Sequence, residues 1–409
     1  MDFSMETGTF TIALDMVSSV TLAAILMLFG GWVKSKLPFL QKYCIPAPVV
    51  GGMIFMLVTW FGYSTGLFNF TFVTTLQGQL MILFFVSAGF ASNLGLIKKG
   101  GKVFIILWIL SGILALVQNV IGIGVARVLN IEYAYAIMAS SVSMIGGHGA
   151  AAAYGQTLYD MGFTNAPLVG ASAATFGLIS SVIIGGPLMR RLINKYNLQP
   201  EDTLPESHLE VGEGGSTRHL TFKEISKYVM WALICLTVGS YVSRLIGQAI
   251  NQTFPAFFGA MLVAIIVRNV NEKANFFTYD EEFNEKFGDI MLGLFLSMAM
   301  MTLRIWDLID LALPLLVLLA IQVIFIAIFT YFIVFKLCGK NYDAAVIGSG
   351  FIGFGLGATP TAVANMAALN EKYGVSVQAL LIVPIIGGFA SGLIYHPMIV
   401  WMIGHFLGR

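Results

Sequence analysis

The sequence predicts an all-α polytopic membrane protein. It is expected to hold two inverted-topology repeats of about five transmembrane helices, each with a glycine-rich re-entrant hairpin between its fourth and fifth helices. Three observations predict this. Hydrophobic residues make up 57% of the 409 residues and charged residues only 11%, against roughly 25% charge in a soluble domain. The apolar residues fall in runs of about 20, a length that suits spanning helices and not the alternating strands of a barrel. Two glycine-rich stretches interrupt these runs, Ser143 to Gly155 and Gly350 to Asn365, about 210 residues apart.

Taken in order, the apolar runs lie at about 14–33, 45–62, 78–97, 103–128, 166–189, 222–247, 255–270, 287–303, 311–335 and 378–404. Asp2, Glu6 and Asp15 precede the first run, without the basic region that opens a signal peptide, so it is expected to remain as a helix. Lys34, Lys36 and Lys42 follow the first run, Lys98, Lys99 and Lys102 the third, and Arg190, Arg191 and Lys195 the fifth, whereas the loop at 63–77 has neither Lys nor Arg. Under the positive-inside rule both termini lie outside, and the two glycine stretches enter from opposite faces. Residues 193–221 are polar, with Pro, Gly and mixed charge, and read as a cytoplasmic linker that cannot bury enough apolar surface to fold alone.

The parts recur in one order: five spans with a glycine stretch before the fifth, twice. That divides the chain into an N-terminal repeat at 1–192 (re-entrant stretch about 134–160), the linker at 193–221, and a C-terminal repeat at 222–409 (re-entrant stretch about 344–370). A shift of 210 pairs Met81 with Met291, Phe85 with Phe295 and Gly147 with Gly357. Five is odd, so the second copy is inverted, an architecture whose binding site lies between the repeats.

Glycine permits close backbone approach, and Pro360 disfavours helix at Thr359, so each stretch is expected to break inside the bilayer. Such backbone is tolerated there only where protein buries it or water reaches it. Half-helix N-termini suit a carboxylate; unwound carbonyls suit a hard cation such as Na⁺. Candidate binding residues are Ser143, Gly146, Gly147, His148 and Gly149 in the first arm, and Gly355, Gly357, Thr359, Pro360, Thr361 and Asn365 in the second. Candidate Na⁺ oxygens come from Ser141, Ser143, Ser349, Thr359 and Asn365. Each has a plainer reading: glycines serve helix packing, His148 is a hydrogen-bonded packing residue, and the threonines back-bond to their own helix. Gln118, Asn119 and Asn365 are polar within apolar runs, where hydrogen bonds between helices account for them equally well.

Enzymatic motifs are missing: no His-Glu-x-x-His, no Gly-x-Ser-x-Gly, no clustered Cys/His set, and no Gly-x-x-x-x-Gly-Lys-Ser/Thr to drive a pump with ATP. Net charge of +1 gives no hint of nucleic acid, and three cysteines (Cys44, Cys235, Cys338) in or beside apolar runs indicate no disulfide framework. An ion-coupled carrier is favoured over a passive channel, because two unlike arms in one chain do not make a symmetric filter.

At Ser143–Tyr154 and Phe354–Met366 the chain resembles the bacterial sodium/glutamate symporter family. The likeness extends to Ile45-Pro-Ala-Pro48, Asn119-Val-Ile-Gly-Ile-Gly124, Gly162-Phe-Thr-Asn165, Ala174-Thr-Phe-Gly-Leu178, Gly185-Gly-Pro187 and Gly339-Lys-Asn-Tyr-Asp-Ala-Ala345, nearly end to end. The resemblance implies uptake of L-glutamate by symport with Na⁺ across the bacterial cytoplasmic membrane, without a cofactor. A carrier that works a moving part against a fixed scaffold is expected as a homodimer embedded in membrane lipid. The family pattern has Thr after Gly-Gly-His-Gly; here Ala150 removes that hydroxyl. A carrier for another carboxylate, such as citrate or a hydroxy acid, is the alternative.

Overall fold

In a computed structural model the structure describes residues 2–6, 9–93, 101–200, 220–250, 254–304 and 311–408. Residues 201–219 of the expected linker, together with Lys98 and Lys99, lie outside the described residues. Every one of the ten apolar runs contains a helix, because a run of that length in a bilayer satisfies its backbone only by hydrogen-bonding to itself. The helices are α1 (Met16–Lys36), α2 (Pro38–Lys42), α3 (Ala47–Thr65), α4 (Thr75–Ala91), α5 (Gly101–Leu129), α6 (Tyr133–Ile137), α7 (Gly147–Asp160) and α8 (Ala166–Tyr196). After the linker come α9 (Phe222–Ile250), α10 (Ala256–Ala274), α11 (Glu281–Met301), α12 (Ala312–Phe329), α13 (Phe335–Leu337), α14 (Tyr342–Leu356), α15 (Thr359–Tyr373), α16 (Val377–Ile385) and α17 (Gly392–Leu407). Among the described residues three π-helical turns, Met138–Val142, Thr330–Val334 and Ile386–Ala390, follow α6, α12 and α16. Seven helical stretches among the described residues are long and apolar enough to cross a membrane: α1, α3, α5, α8, α9, α12 with α13, and α16 with α17. The chain is therefore a multi-pass helical membrane protein.

One feature outside the apolar runs is a small sheet. Strands β1 (Asp2–Glu6) and β2 (Thr9–Leu14) pair antiparallel, and β2 pairs in parallel with β3 (Phe68–Phe72), Phe10 opposite Phe68. The ring of Phe70 meets Phe55 of α3 edge-on at 5.2 Å, tying the sheet to the middle of that helix. Asp15 then caps α1 by accepting the Ser18 N–H at 2.8 Å, an N-terminal orphan donor satisfied in the usual way.

The helices sort into two packed groups. In one, α1 packs on α3 and α11, α4 on α9, α10 and α11, and α9 on α10. In the other, α8 runs through the middle and touches α7, α12, α14 and α15, while α5 packs on α6, α12 and α17. Burial differs from helix to helix. On α1 and α9 the side chains of Leu28, Trp32, Met230 and Leu245 are exposed, as a lipid-facing surface would leave them. By contrast every residue from Ala344 to Leu356 of α14 is buried, and a helix apolar all round belongs in an interior. Contact between the groups runs through α7 against α4 and α11, and through the π turn at Ile386–Ala390 against α4.

Candidate functional site

Both glycine stretches fold as a pair of short helices around a break. In the first, the π turn carries Ser140 at φ −105°, ψ −134°, outside helical geometry, and α7 restarts after Ile145 with Gly147 at φ +58°. That left-handed conformation is one glycine adopts without penalty. In the second, α14 stops at Leu356, Gly357 turns the chain (φ −147°, ψ −93°), and extended Ala358 caps α15. Pro360 sits in the first turn of α15, where its missing N–H costs nothing.

The two breaks meet. A Cβ built on Gly147 would stand 2.7 Å from the carbonyl oxygen of Gly357 and 3.6 Å from Cβ of Ala358. Gly147 opens α7 and Thr359 opens α15, so two helix N-termini are brought to one place. Each carries about half a positive charge and free N–H groups, an anion-binding arrangement. Helix α8 holds the tips from behind: a Cβ on Gly177 would fall 2.0 Å from the Leu356 carbonyl oxygen, so only glycine lets the backbones come so close. On the other side, Gly149 faces Phe84 of α4 and Leu292 of α11, at 3.0 and 3.6 Å from an added Cβ. The tips therefore lie at the junction of the two helix groups.

His148 is buried beside Gly147, and its Nε2 lies 3.0 Å from the Thr175 hydroxyl of α8. That hydroxyl donates to the Ala171 carbonyl at 2.9 Å. Its single hydrogen is thereby engaged, and it accepts the Nε2–H of His148, which leaves Nδ1 as the acceptor nitrogen.

The remaining predicted residues separate. Gly146, Gly147, His148, Gly149, Gly357, Thr359 and Pro360 are at the tips. The Thr361 hydroxyl is occupied by its own hairpin: it bonds to the Gly353 and Ala358 carbonyls at 2.9 and 2.7 Å and accepts the Ala358 N–H at 3.1 Å. Gly355 lies just before the break, its carbonyl accepting from Gln118 Nε2 at 3.1 Å. Ser143 donates to the Met138 carbonyl at 2.5 Å and Ser141 accepts from Asn119 Nδ2 at 2.7 Å, both inside the first hairpin. Asn365 is about 9 Å further along α15 than Thr359 at 1.5 Å per residue. It donates to the Ser181 and Ser349 carbonyls at 3.0 and 3.5 Å. Ser349 and Asn365 thus neighbour each other, away from Ser141 and Ser143.

Two kinds of residue escaped the sequence reading. Thr175 and Tyr154 (its hydroxyl 3.0 Å from His396 Nδ1) lie in stretches that carry the family resemblance, but nothing local in them marks these contacts across the fold. Gln322 of α12, an amide alone in an apolar helix, donates to the Gln118 carbonyl at 2.7 Å and the Ser140 hydroxyl at 3.1 Å. Its position in the middle of an apolar run was the available signal. Among the described residues no three His, Cys, Asp or Glu side chains come together as a metal centre requires.

Broken helices meeting inside a many-helix membrane protein are the mark of a membrane transport protein. The sequence profile of the sodium/glutamate symporter family matches residues 12–375. The chain is 37% identical over 380 residues to the sodium/glutamate symporter of Escherichia coli (strain K12), covering 92% of this chain and 94% of that one. It is 36% identical over 381 residues to the sodium/glutamate symporter of Haemophilus influenzae, with the same two coverages. This chain belongs to the sodium/glutamate symporter family. A solved sodium proton antiporter from Methanocaldococcus jannaschii covers 96% of this chain and 99% of its own at 15% identity, with a TM-score of 0.44, too distant a likeness to bear on the fold.

Proposed function

We propose that the protein takes up L-glutamate with Na⁺ across the bacterial cytoplasmic membrane by alternating access, binding substrate where the two helix breaks meet. The observation that carries this reading is the apposition of the α7 and α15 N-termini at Gly147 and Gly357. Two dipole ends side by side favour an anion. Glutamate brings two carboxylates and a net negative charge. Its entry against about 100 mV, inside negative, costs roughly 2.3 kcal/mol, which one Na⁺ cancels and a second reverses. The name of the family and of its relatives supplies the substrate and the ion.

The inverted repeat is part of this proposal. α7, α14 and α15 have 14, 15 and 15 residues, about 21–23 Å each and short of the ~30 Å hydrocarbon core. Helices of that length suit hairpins that enter and return. The amide contacts are reciprocal, which supports the repeat: Gln118 of α5 holds the second hairpin at Gly355, and Gln322 of α12 holds the first at Ser140. Lys34 and Lys36 end α1 and Lys195 ends α8, in keeping with both termini outside and the linker in the cytoplasm. The working form is a homodimer in lipid. Proteoliposomes test the function: accumulation of labelled glutamate should follow an imposed inward Na⁺ gradient, and uptake indifferent to that gradient would refute it. Competition by unlabelled citrate or hydroxy acids stronger than by glutamate would move the substrate to another carboxylate.

A further inference from the structure

Among the described residues seven buried side-chain polar atoms lack a hydrogen-bond partner: three amide oxygens, three hydroxyls and one guanidinium nitrogen. A hydroxyl can rotate toward a partner, but an amide oxygen is fixed once its nitrogen is engaged. The three amide oxygens are Gln118 Oε1, Asn119 Oδ1 and Gln322 Oε1, and all three residues are fully buried. Their orientations are not interchangeable, because each amide nitrogen faces a backbone carbonyl, which only a donor can face: Gln118 to Gly355 at 3.1 Å, Asn119 to Ala115 at 3.0 Å and Gln322 to Gln118 at 2.7 Å.

These groups form one seam where α5, α12 and the π turn of the first hairpin cross. Gln322 also reaches the Ser140 hydroxyl at 3.1 Å, and Asn119 reaches the Ser141 hydroxyl at 2.7 Å. Ser140 is the residue whose backbone leaves the helix, so the regular helical ladder is interrupted beside the seam. Fixed buried acceptors left without a proton or a cation are among the costlier defects a fold can carry. Three in one seam call for an occupant that is electron-poor and small. Hard uncharged oxygens suit an alkali cation; with no carboxylate among them, a divalent ion would be left uncompensated in a buried place.

We propose that the seam is a Na⁺ site, with the oxygens of Gln118, Asn119 and Gln322 and the Ser141 hydroxyl as its ligands. The inference rests on the Na⁺-coupled reading above and places the ion behind the substrate tips. Gln118 connects them, since its nitrogen holds Gly355 two residues before the break at Gly357. An ion drawn onto the Gln118 oxygen thereby acts on the position of the second tip, which couples ion occupancy to the anion site.

The test titrates Na⁺ against choline at constant ionic strength on the purified full chain without glutamate, reading the Na⁺-dependent rise in unfolding temperature. Asn119→Leu and Gln322→Leu should each raise the half-saturating Na⁺ by about tenfold or more, the worth of one oxygen bound to a charged partner. Ser297→Ala, which removes another orphan hydroxyl on α11, should leave it unchanged. Unmoved half-saturation in both leucine variants overturns the site. Should those variants fail to fold, anomalous scattering from wild-type crystals grown with Tl⁺ decides. A peak in the seam that Na⁺ displaces supports the site, and water alone refutes it. Wild-type uptake separates the two readings: uptake that follows the Na⁺ gradient with both variants unmoved rejects the seam alone, whereas uptake that ignores the gradient rejects the symport.

Discussion

Gly147 and Gly357 confront each other across the two helix breaks, so close that a side chain on the first would meet the carbonyl oxygen of the second at 2.7 Å. Gly147 also holds φ +58°, which costs an L-residue about 1–2 kcal/mol. Gly147→Ala is therefore expected to abolish glutamate uptake in proteoliposomes and to lower the unfolding temperature. Gly149→Ala should keep partial uptake, because its nearest obstacle is the end of the Phe84 ring at 3.0 Å, and a side chain yields where a backbone cannot. Full activity in Gly147→Ala would mean that the tips separate more than this contact implies.

The His148–Thr175 bond gives a second expectation. Thr175→Val takes away the acceptor that the described residues give the buried Nε2–H of His148, and an unsatisfied buried donor costs about 1–3 kcal/mol. If His148 shapes the glutamate site, half-saturating glutamate should rise about 5- to 150-fold, with half-saturating Na⁺ nearly unmoved. Thr175→Ser, which keeps the hydroxyl, should restore it. Loss of stability with unchanged glutamate affinity would return His148 to a packing role.

Much of the architecture is legible in the sequence because membrane length is a strong constraint, yet its limits are physical. The apolar runs locate each helix but not its ends: α8 continues to Tyr196 and α11 begins at Glu281, since long charged side chains near a helix end keep their charges in water. The sheet is harder to see, although Phe68, Phe70 and Phe72 alternate as a strand should, because β3 finds its partner β2 more than 50 residues away. In the site, glycine and proline announce the breaks. The amides of Gln118 and Gln322 stand out as polar residues in apolar runs but do not reveal their role, because their partners lie 237 and 182 residues away in the chain, and a lone amide in an apolar helix has the same appearance whether it joins two helices or faces an ion.

Thr361 separates a structural from a binding role at the second tip. Its hydroxyl bridges Gly353, Ala358 and the Ala358 N–H, fastening α14 to α15 just beyond the break. Thr361→Val should cost about 1–3 kcal/mol, the penalty for unpaired buried groups, measured as a lower unfolding temperature, while Thr361→Ser stays close to wild type. Proteolysis of the 354–360 segment should quicken in the valine variant alone. A valine variant with wild-type stability and impaired glutamate affinity would instead make Thr361 a substrate contact.

Alternating access requires that the tips face one side of the membrane and then the other, and the junction between the helix groups is where such a change would act. Gln77 of α4 donates to Gln156 of α7 at 3.3 Å, a direct tie between the six-helix group and the first hairpin. If the hairpin group shifts past α4 and α11, this tie must break in every cycle. The experiment starts from a chain in which the free cysteines Cys44, Cys235 and Cys338 are replaced by serine or alanine and uptake is verified. Gln77→Cys with Gln156→Cys is then joined by a short bifunctional thiol reagent. Uptake should stop on cross-linking, return on reduction, and persist in either single variant treated in the same way. Undiminished uptake with cross-linking complete would show that α4 and α7 travel together, and would move the sliding surface elsewhere in the fold.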